Sequence, residues 1–433
     1  MPRRIAILVF LLALCKISWG ADAFNATAGV RTQTGTQTAS IGFNTAEQAF
    51  DSLRQQNLSA LVPAYTGVEV ANVAIDFRGL ALRTEYPLFN NPTLVLDIPS
   101  LGISRIFVGA TREESRILLR DFFRNGDVLG RIMKELAKTS PVDPVAGNPN
   151  SLQSRMVAQT YERGFRRLVT EFGARTGESG KAASERSRWL VAATGDISGL
   201  GSGKGGTAQT SSASVGLGVA GYRQAGLSST GVSIPFDYSL APERGRSLSL
   251  EGDFQYTDTQ GAKTYGLNVG AAYRFAVNDR WYLVPSANFG VTGSKDLGSV
   301  ATMVSASLTS AARLYSRFDT TLWMGNSVNF SRALKTSIGD YSFDSKLQNV
   351  AFVNGLVLST PLTAAGRNFW VEYSVTDTRY TGSALYNRRY DEVGVAIVRS
   401  SGRLGNESHL RAGLSYLNGS QSKGVRLNLH YAF

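Results

Sequence analysis

Two histidines, His409 and His430, and one cysteine, Cys15, are all that the sequence offers for transition-metal or thiol chemistry. A histidine beside a serine and a carboxylate can deprotonate a hydroxyl, so each is a candidate general base. Both fall on the polar parity of their strands, yet neither lies in a recognisable nucleophile motif. One thiol and two imidazoles are too few for a zinc centre, and no metal or cofactor is expected. The glycine-rich run at 199–206 has the composition of a phosphate loop. There Lys204 is followed by Gly205 instead of Ser or Thr, with no strand–loop–helix around it, so it reads as a flexible linker. No enzyme is expected; a hydrolase using one of the histidines is the minor alternative.

The charges that could act together are of another kind. Glu251, Asp253, Arg274, Glu372, Arg411 and Arg426 share the polar side of alternating strands with His430. Opposite charges converging on an enclosed face either pair across a filled interior or line a water-filled passage. The formal net charge is +12; from Arg186 onward 24 Lys+Arg stand against 16 Asp+Glu, whereas residues 24–185 carry 18 against 16. A passage lined by those arginines would favour anions. Nucleic acid, the usual partner of a basic chain, is not expected for an exported one.

What must position these residues is a repeated period of two. Val232, Ile234, Phe236, Tyr238 and Leu240 alternate with Ser233, Asp237 and Ser239. Comparable runs at 215–219, 248–256, 267–275, 281–291, 300–308, 322–330, 347–358, 369–375, 393–397, 410–416 and 425–433 bring the number to twelve. Their lengths approach the roughly 9–11 residues that carry a tilted strand across a bilayer. Tyr238, Tyr256, Phe275, Trp281 and Tyr416 sit at strand ends, where aromatic girdles belong. A further run at 189–197 is placed outside the wall because an odd count breaks the up-and-down parity. Fourteen strands is the alternative.

The last run decides the environment. Val425, Leu427, Leu429, Tyr431 and Phe433 share one face, and Arg426, Asn428 and His430 the other. No later element covers the apolar face, which suits acyl chains better than water. This ending resembles that of the bacterial outer-membrane β-barrel proteins, whose last strand closes on Phe after alternating apolar positions. The resemblance implies that these five residues are the assembly signal read by the barrel-assembly machinery. It also implies surroundings of outer-membrane lipid and lipopolysaccharide, with Phe433 on the periplasmic side. Connections at 331–345, 379–389 and 418–423 are then external, and those at 242–246 and 277–280 periplasmic.

Ahead of the barrel, Arg3 and Arg4, an apolar run at 5–14 and small residues near 18–23 read as a signal peptide over 1–23. Ten apolar residues are too few to span a bilayer. Residues 25–40, rich in Thr, Gln, Ala and Gly, read as a flexible lead or a weak edge strand. A short helix at 45–57, strands around Ile75, Leu96 and Ile106, and a helix opened by a capping box of Thr111 and Glu114 follow. Residues 24–139 are therefore expected to form a small α+β domain, placed in the periplasm. Residues 140–211 hold a Pro-rich turn, a basic helix and a flexible linker, together able to plug the barrel. That helix carries Leu152, Met156, Tyr161, Leu168 and Phe172 on one side and Arg155, Arg163, Arg166 and Arg167 on others. With Glu162 and Glu171 interleaved, the arginine face is expected to be solvated.

The predicted fold class is an α+β N-terminal domain followed by an all-β antiparallel transmembrane β-barrel, 212–433, of about 12 strands. The leading functional reading is an outer-membrane channel or export pore whose periplasmic domain gates it or docks a partner there. One alternative is an autotransporter-like protein whose helix threads the lumen and displays residues 24–139 at the surface. The other is an outer-membrane enzyme using a lumen histidine.

Overall fold

Alternating strands build two large sheets and one small hairpin among the described residues. The computed structural model describes residues 22–124, 128–176, 210–243, 246–338, 341–364, 367–401 and 408–433. The first sheet comprises β1 (Phe24–Thr32), β2 (Gly35–Phe43), β3 (Val70–Phe77), β4 (Leu80–Tyr86), β5 (Leu94–Ile98) and β6 (Ile103–Phe107), in the order β2-β1-β3-β4-β5-β6. Helices α1 (Ala46–Asp51), α2 (Gln55–Leu61), α3 (Arg112–Arg124) and α4 (Val128–Thr139) accompany it. Ala28, Val73, Ile75, Leu82, Leu96, Leu58, Leu119 and Leu136 share one buried core with it. Half of the capping box forms: the Glu114 amide donates to Thr111 Oγ1 at 3.1 Å, while the Glu114 carboxylate accepts from the Ala110 amide at 2.8 Å, one residue ahead of the cap.

Two sequence expectations change here. The lead at 25–40 is not flexible: its second part lies in β2, the edge strand of the sheet, whereas β1 sits inside the sheet between β2 and β3. Its Phe24 is fully buried, edge-on to Phe77 at 4.9 Å. Alanine and glycine serve where neighbouring layers come close, so low hydrophobicity hid a core strand. The single helix expected at 45–57 is two, α1 and α2.

The second sheet runs through β7 (Thr210–Gln224), β8 (Leu227–Glu243), β9 (Arg246–Thr259), β10 (Ala262–Ala276), β11 (Trp281–Ser294), β12 (Ser299–Arg317) and β13 (Thr320–Leu334). After a small hairpin, β14 (Thr336–Ile338) and β15 (Tyr341–Phe343), it continues as β16 (Gln348–Ala364), β17 (Arg367–Gly382), β18 (Arg389–Ser401), β19 (Ser408–Gly419) and β20 (Ser422–Ala432). Among the described residues twelve strands, β7–β13 and β16–β20, close an antiparallel barrel. The seam is β20 on β7, with Leu429 opposite Leu217. Twelve is thus the strand count in place of fourteen, and the run at 189–197 lies outside the described residues, as do 1–21 and 199–206. Strand lengths run from 11 residues in β20 to 19 in β12, so several exceed a bilayer's requirement and extend past the apolar belt.

Connections alternate between two mouths. Phe433 lies at one, where it exchanges backbone hydrogen bonds of 2.9 Å with Ala213 near the start of β7. The first sheet and its helices sit on the other. There the Ala46 amide donates to Asp296 O at 2.6 Å, and Leu297, from the β11–β12 turn, is buried in the domain core. The Tyr386 amide donates to Ala137 O at 2.8 Å and the Asn387 amide to Gly147 O at 3.0 Å. The neck between domain and barrel is buried. Arg78, in the tight β3–β4 turn, donates to Asp143 Oδ1 at 3.4 Å and to Ser299 Oγ at 3.0 Å, so one guanidinium ties domain, neck and barrel together. Because the domain and Phe433 occupy opposite mouths, a periplasmic Phe433 and a periplasmic domain cannot both hold.

Candidate functional site

The neck delivers the chain into the lumen. Helix α5 (Leu152–Tyr161), a π-helical turn (Glu162–Arg166) and α6 (Arg167–Thr176) form one rod inside the barrel. Ser151 caps it, its hydroxyl accepting from the Ser154 amide. Near its start Arg155 Nη2 donates to Thr257 Oγ1 at 3.1 Å, and Gln153 Nε2 to Ser331 Oγ at 2.8 Å. Near its end Phe172 packs on Trp323 and Tyr282, ring centroids 5.1 and 5.6 Å away. The rod therefore descends from the domain's mouth towards the mouth where β7 begins.

One side of the rod is apolar and fits a recess in the wall. Met156, Tyr161, Phe165 and Leu168 are buried with Met303, Ala311, Val353 and Val357. Gly325 makes room for the Phe165 ring, and Gly290 for Leu152 and Met156; a Cβ at either position would overlap those side chains.

The other side is ionic. Arg163 pairs with Glu251 and Arg167 with Asp237. Arg166 Nη2 reaches Glu392 at 3.2 Å and Thr376 Oγ1 at 3.1 Å. The Thr170 hydroxyl donates to Glu372 at 2.7 Å, and Arg274 bridges to Glu171 at 2.8 Å. Arg411 joins Glu372 at 2.9 Å to Glu162 at 3.3 Å, and Arg426 approaches Glu392 at 3.5 Å while donating to Tyr222 Oη at 3.0 Å. The arginine face expected to be solvated is instead turned to wall carboxylates. Threading through the barrel gives it charged partners that the helix sequence alone does not contain.

All seven lumen candidates lie on the inner side. Glu251, Arg274, Glu372, Arg411 and Arg426 enter the ladder directly. Asp253 accepts from Gln255 Nε2 at 2.6 Å, outside the direct pairs. His430 Nε2 lies 2.8 Å from Ser214 Oγ, which also bonds Asp237. That serine stands between acid and base, whereas a nucleophile relay needs the base between serine and acid. His409, on β19, is opposite Ala432 in register. Sequence reasoning did not select Asp237 and Glu392 for the lumen, although strand parity marks both; it also missed the rod's Glu162 and Glu171 as partners. At the level of the rod the wall brings five carboxylates (Asp237, Glu251, Asp253, Glu372, Glu392) and four guanidiniums (Arg274, Arg313, Arg411, Arg426), Arg313 lying over the Phe172 ring at 5.7 Å. The sequence of the rod holds five arginines (Arg155, Arg163, Arg166, Arg167, Arg175) and two glutamates (Glu162, Glu171), so its net positive charge faces a wall that is net negative.

On the outer side, Val425, Leu427, Leu429, Tyr431 and Phe433 are all exposed, and the rings of Tyr431 and Phe433 stack at 5.9 Å. The described strands thus form an even-stranded closed barrel with an apolar outer belt and a charged interior. The fold is that of the bacterial outer-membrane β-barrels.

No protein-family model and no curated protein matches the sequence. Among solved structures, the beta domain of the Bordetella autotransporter BrkA aligns with 17% identity and a TM-score of 0.40, covering 52% of this chain and 99% of that one. The translocator domain of the autotransporter NalP from Neisseria meningitidis aligns with 13% identity and a TM-score of 0.38, covering 58% and 95%. A COG4313 outer membrane channel from Pseudomonas putida F1 gives 13% identity and a TM-score of 0.37, covering 54% and 99%.

Proposed function

We propose that this chain is an autotransporter-like outer-membrane protein that holds its own N-terminal domain at the cell surface, with the barrel as anchor and the rod as the thread between them. One observation carries the reading: the chain itself passes through the lumen, from a domain seated on one mouth to a first strand that starts at the other. With Phe433 on the periplasmic side, the domain faces outward. The apolar belt supports burial in lipid, since large side chains such as Leu427, Leu429 and Phe254 are exposed there. An open channel would require the rod to leave, which strands several buried carboxylates and guanidiniums without partners.

The test is topological. Gln33→Cys, exposed in the β1–β2 turn, is labelled on intact cells with a membrane-impermeant maleimide, and Asn278→Cys in the β10–β11 turn serves as the opposite-mouth control. The expected result is labelling of Gln33→Cys on intact cells, and of Asn278→Cys only after the outer membrane is permeabilised. The reverse pattern would return the domain to the periplasm and favour the gated-channel reading.

A further inference from the structure

At the mouth that carries the domain, two cations stand side by side on the outside of the barrel seam. Arg223, the last outward residue of β7, lies directly opposite Lys423, the first outward residue of β20. Both are exposed, and neither side chain has a hydrogen-bond or ion-pair partner among the described residues. Their register neighbours are uncharged, Ser228 on β8 and Asn418 on β19. Beyond Asn418 comes Asp391, which Arg389 already holds at 3.3 Å. On the other flank Asp258 of β9 accepts from the Gly261 amide at 2.8 Å and stands opposite Lys263. Like charges facing each other across a strand pair, with Cβ atoms about 5 Å apart, are destabilising. The arrangement calls for an anion.

The height of the pair on the barrel indicates which anion. Towards Phe433 the outward face of the seam is apolar, with Val219, Leu217 and Val215 on β7 and Val425, Leu427 and Leu429 on β20. Ten residues separate Lys423 from Phe433, about 33 Å along a strand and about 25 Å along the axis at a tilt of ~40°, which is the height of the apolar band. A lipid whose acyl chains lie on that stripe carries its headgroup level with the two cations. A guanidinium and an ammonium at this spacing can share one phosphate, the first as a planar fork and the second as a point charge.

We infer that Arg223 and Lys423 form a binding site for a phosphate of lipid A. This rests on the surface reading and deepens it: with the domain outward, the pair lies in the outer leaflet, where lipid A is the phosphorylated lipid. A phosphate bound there ties the first strand of the barrel, β7, to the last, β20.

The experiment uses the full-length protein in phosphatidylcholine nanodiscs containing bisphosphorylated lipid A. After transfer to mild detergent, the lipid A retained per chain is read by native mass spectrometry. The double variant Arg223→Ala, Lys423→Ala should retain about tenfold less, as the loss of two charged hydrogen bonds predicts. Arg332→Ala should retain as much as the native chain, because Arg332 is a lone outward cation between Val304 and Gln348. Lipid A stripped of its phosphates should be retained by none of them. Arg223→Glu, which pairs with Lys423 and keeps the seam satisfied, should also lose lipid A while the barrel stays heat-modifiable. Undiminished retention by the double variant or by Arg223→Glu, an equal loss from Arg332→Ala, or equal retention of phosphatidylglycerol would each overturn the proposal. Retention in nanodiscs is blind to which way the chain faces in a cell, so failure of the surface reading appears only in the labelling of Gln33→Cys.

Discussion

The N-terminal sheet and the barrel are written with the same period of two and are built inside out relative to each other. In the domain, Val73, Ile75 and Phe77 are buried while Asn72, Ala74 and Asp76 face water. In the barrel, Leu427 and Leu429 are outermost, and Glu251, Asn268 and Glu372 are innermost. Alternation alone says that a strand has two unlike faces, never which is inside. What decides is the covering element: α1 to α4 present apolar side chains to the domain sheet, whereas the lumen rod presents arginines and glutamates to the barrel. Each sheet turns towards its cover the face that its cover can satisfy.

The largest expected effect comes from removing the covers. Deleting residues 112–139 exposes the domain's apolar face and should unfold that sheet outright, read as complete protease sensitivity of residues 24–107 beside an intact barrel. Deleting residues 24–176 should leave the barrel folded and heat-modifiable, because its strands close on themselves and its apolar face is satisfied by lipid. In planar bilayers the full-length protein should be silent and the deletion conducting. With five wall carboxylates against four guanidiniums, the opened lumen should show a slight cation preference, an effect weakening at salt concentrations where charges about 8 Å apart are screened. A folded deletion that conducts nothing would mean that the wall alone packs the interior shut.

Single substitutions sharpen the comparison at a smaller scale. Leu429→Arg places a charge on the lipid face, at about 2–4 kcal/mol near the midplane, and should cut the amount of heat-modifiable protein in the outer membrane. Ile75→Asp, on the same kind of strand in the domain, buries a charge without a partner and should cost on the order of 4 kcal/mol. It should free the domain to proteases and leave barrel levels unchanged. If Leu429→Arg accumulated normally and Ile75→Asp emptied the membrane, the sidedness assigned to the two sheets would be reversed.

The strands of the barrel were readable because their faces differ sharply and recur, and parity alone brought Glu251, Arg274, Glu372 and Arg411 to the inner wall. Three things were hidden for physical reasons. β1 is rich in alanine and glycine because close-packed layers need small residues there, so composition made it look unstructured. The side-chain pattern of the rod is that of any solvated helix, and only the threading of the chain supplies Asp237, Glu251 and Glu392 as partners for Arg167, Arg163 and Arg166. The position of the domain depends on which mouth the neck enters, a property of the assembled topology that no local run of residues encodes. Glu392 and Asp237, by contrast, are legible from strand parity alone.

The smallest expected effect concerns where polar groups sit. The carboxylates that meet the rod lie inside the barrel, whereas the domain has carboxylates at its rim, and Glu69 is the clearest example. Its carboxylate accepts from the Thr66 amide at 2.7 Å, the Thr66 hydroxyl at 2.8 Å and the Val68 amide at 3.3 Å. Partial burial pushes the group upward, but these hydrogen bonds to the ionised form together outweigh it and hold the pKa below the ordinary carboxylate range. For a carboxyl depressed in the folded state, the added stability is present above the unfolded value of about 4.3 and is lost as pH falls through the lower folded value. The turn at Thr66 should therefore lose protection on acidification while β3 keeps its own. The measurement is the exchange protection factor of the Thr66 amide at pH 7 and pH 3, with Ile75 as the internal reference. A few-fold loss is expected in the native chain, because a mostly exposed group is well screened by solvent. Glu69→Gln should start with lower protection and show no pH dependence there. A Thr66 amide whose protection ignores pH in the native chain would mean that backbone packing orders this turn, and that the carboxylate is a passenger at the rim.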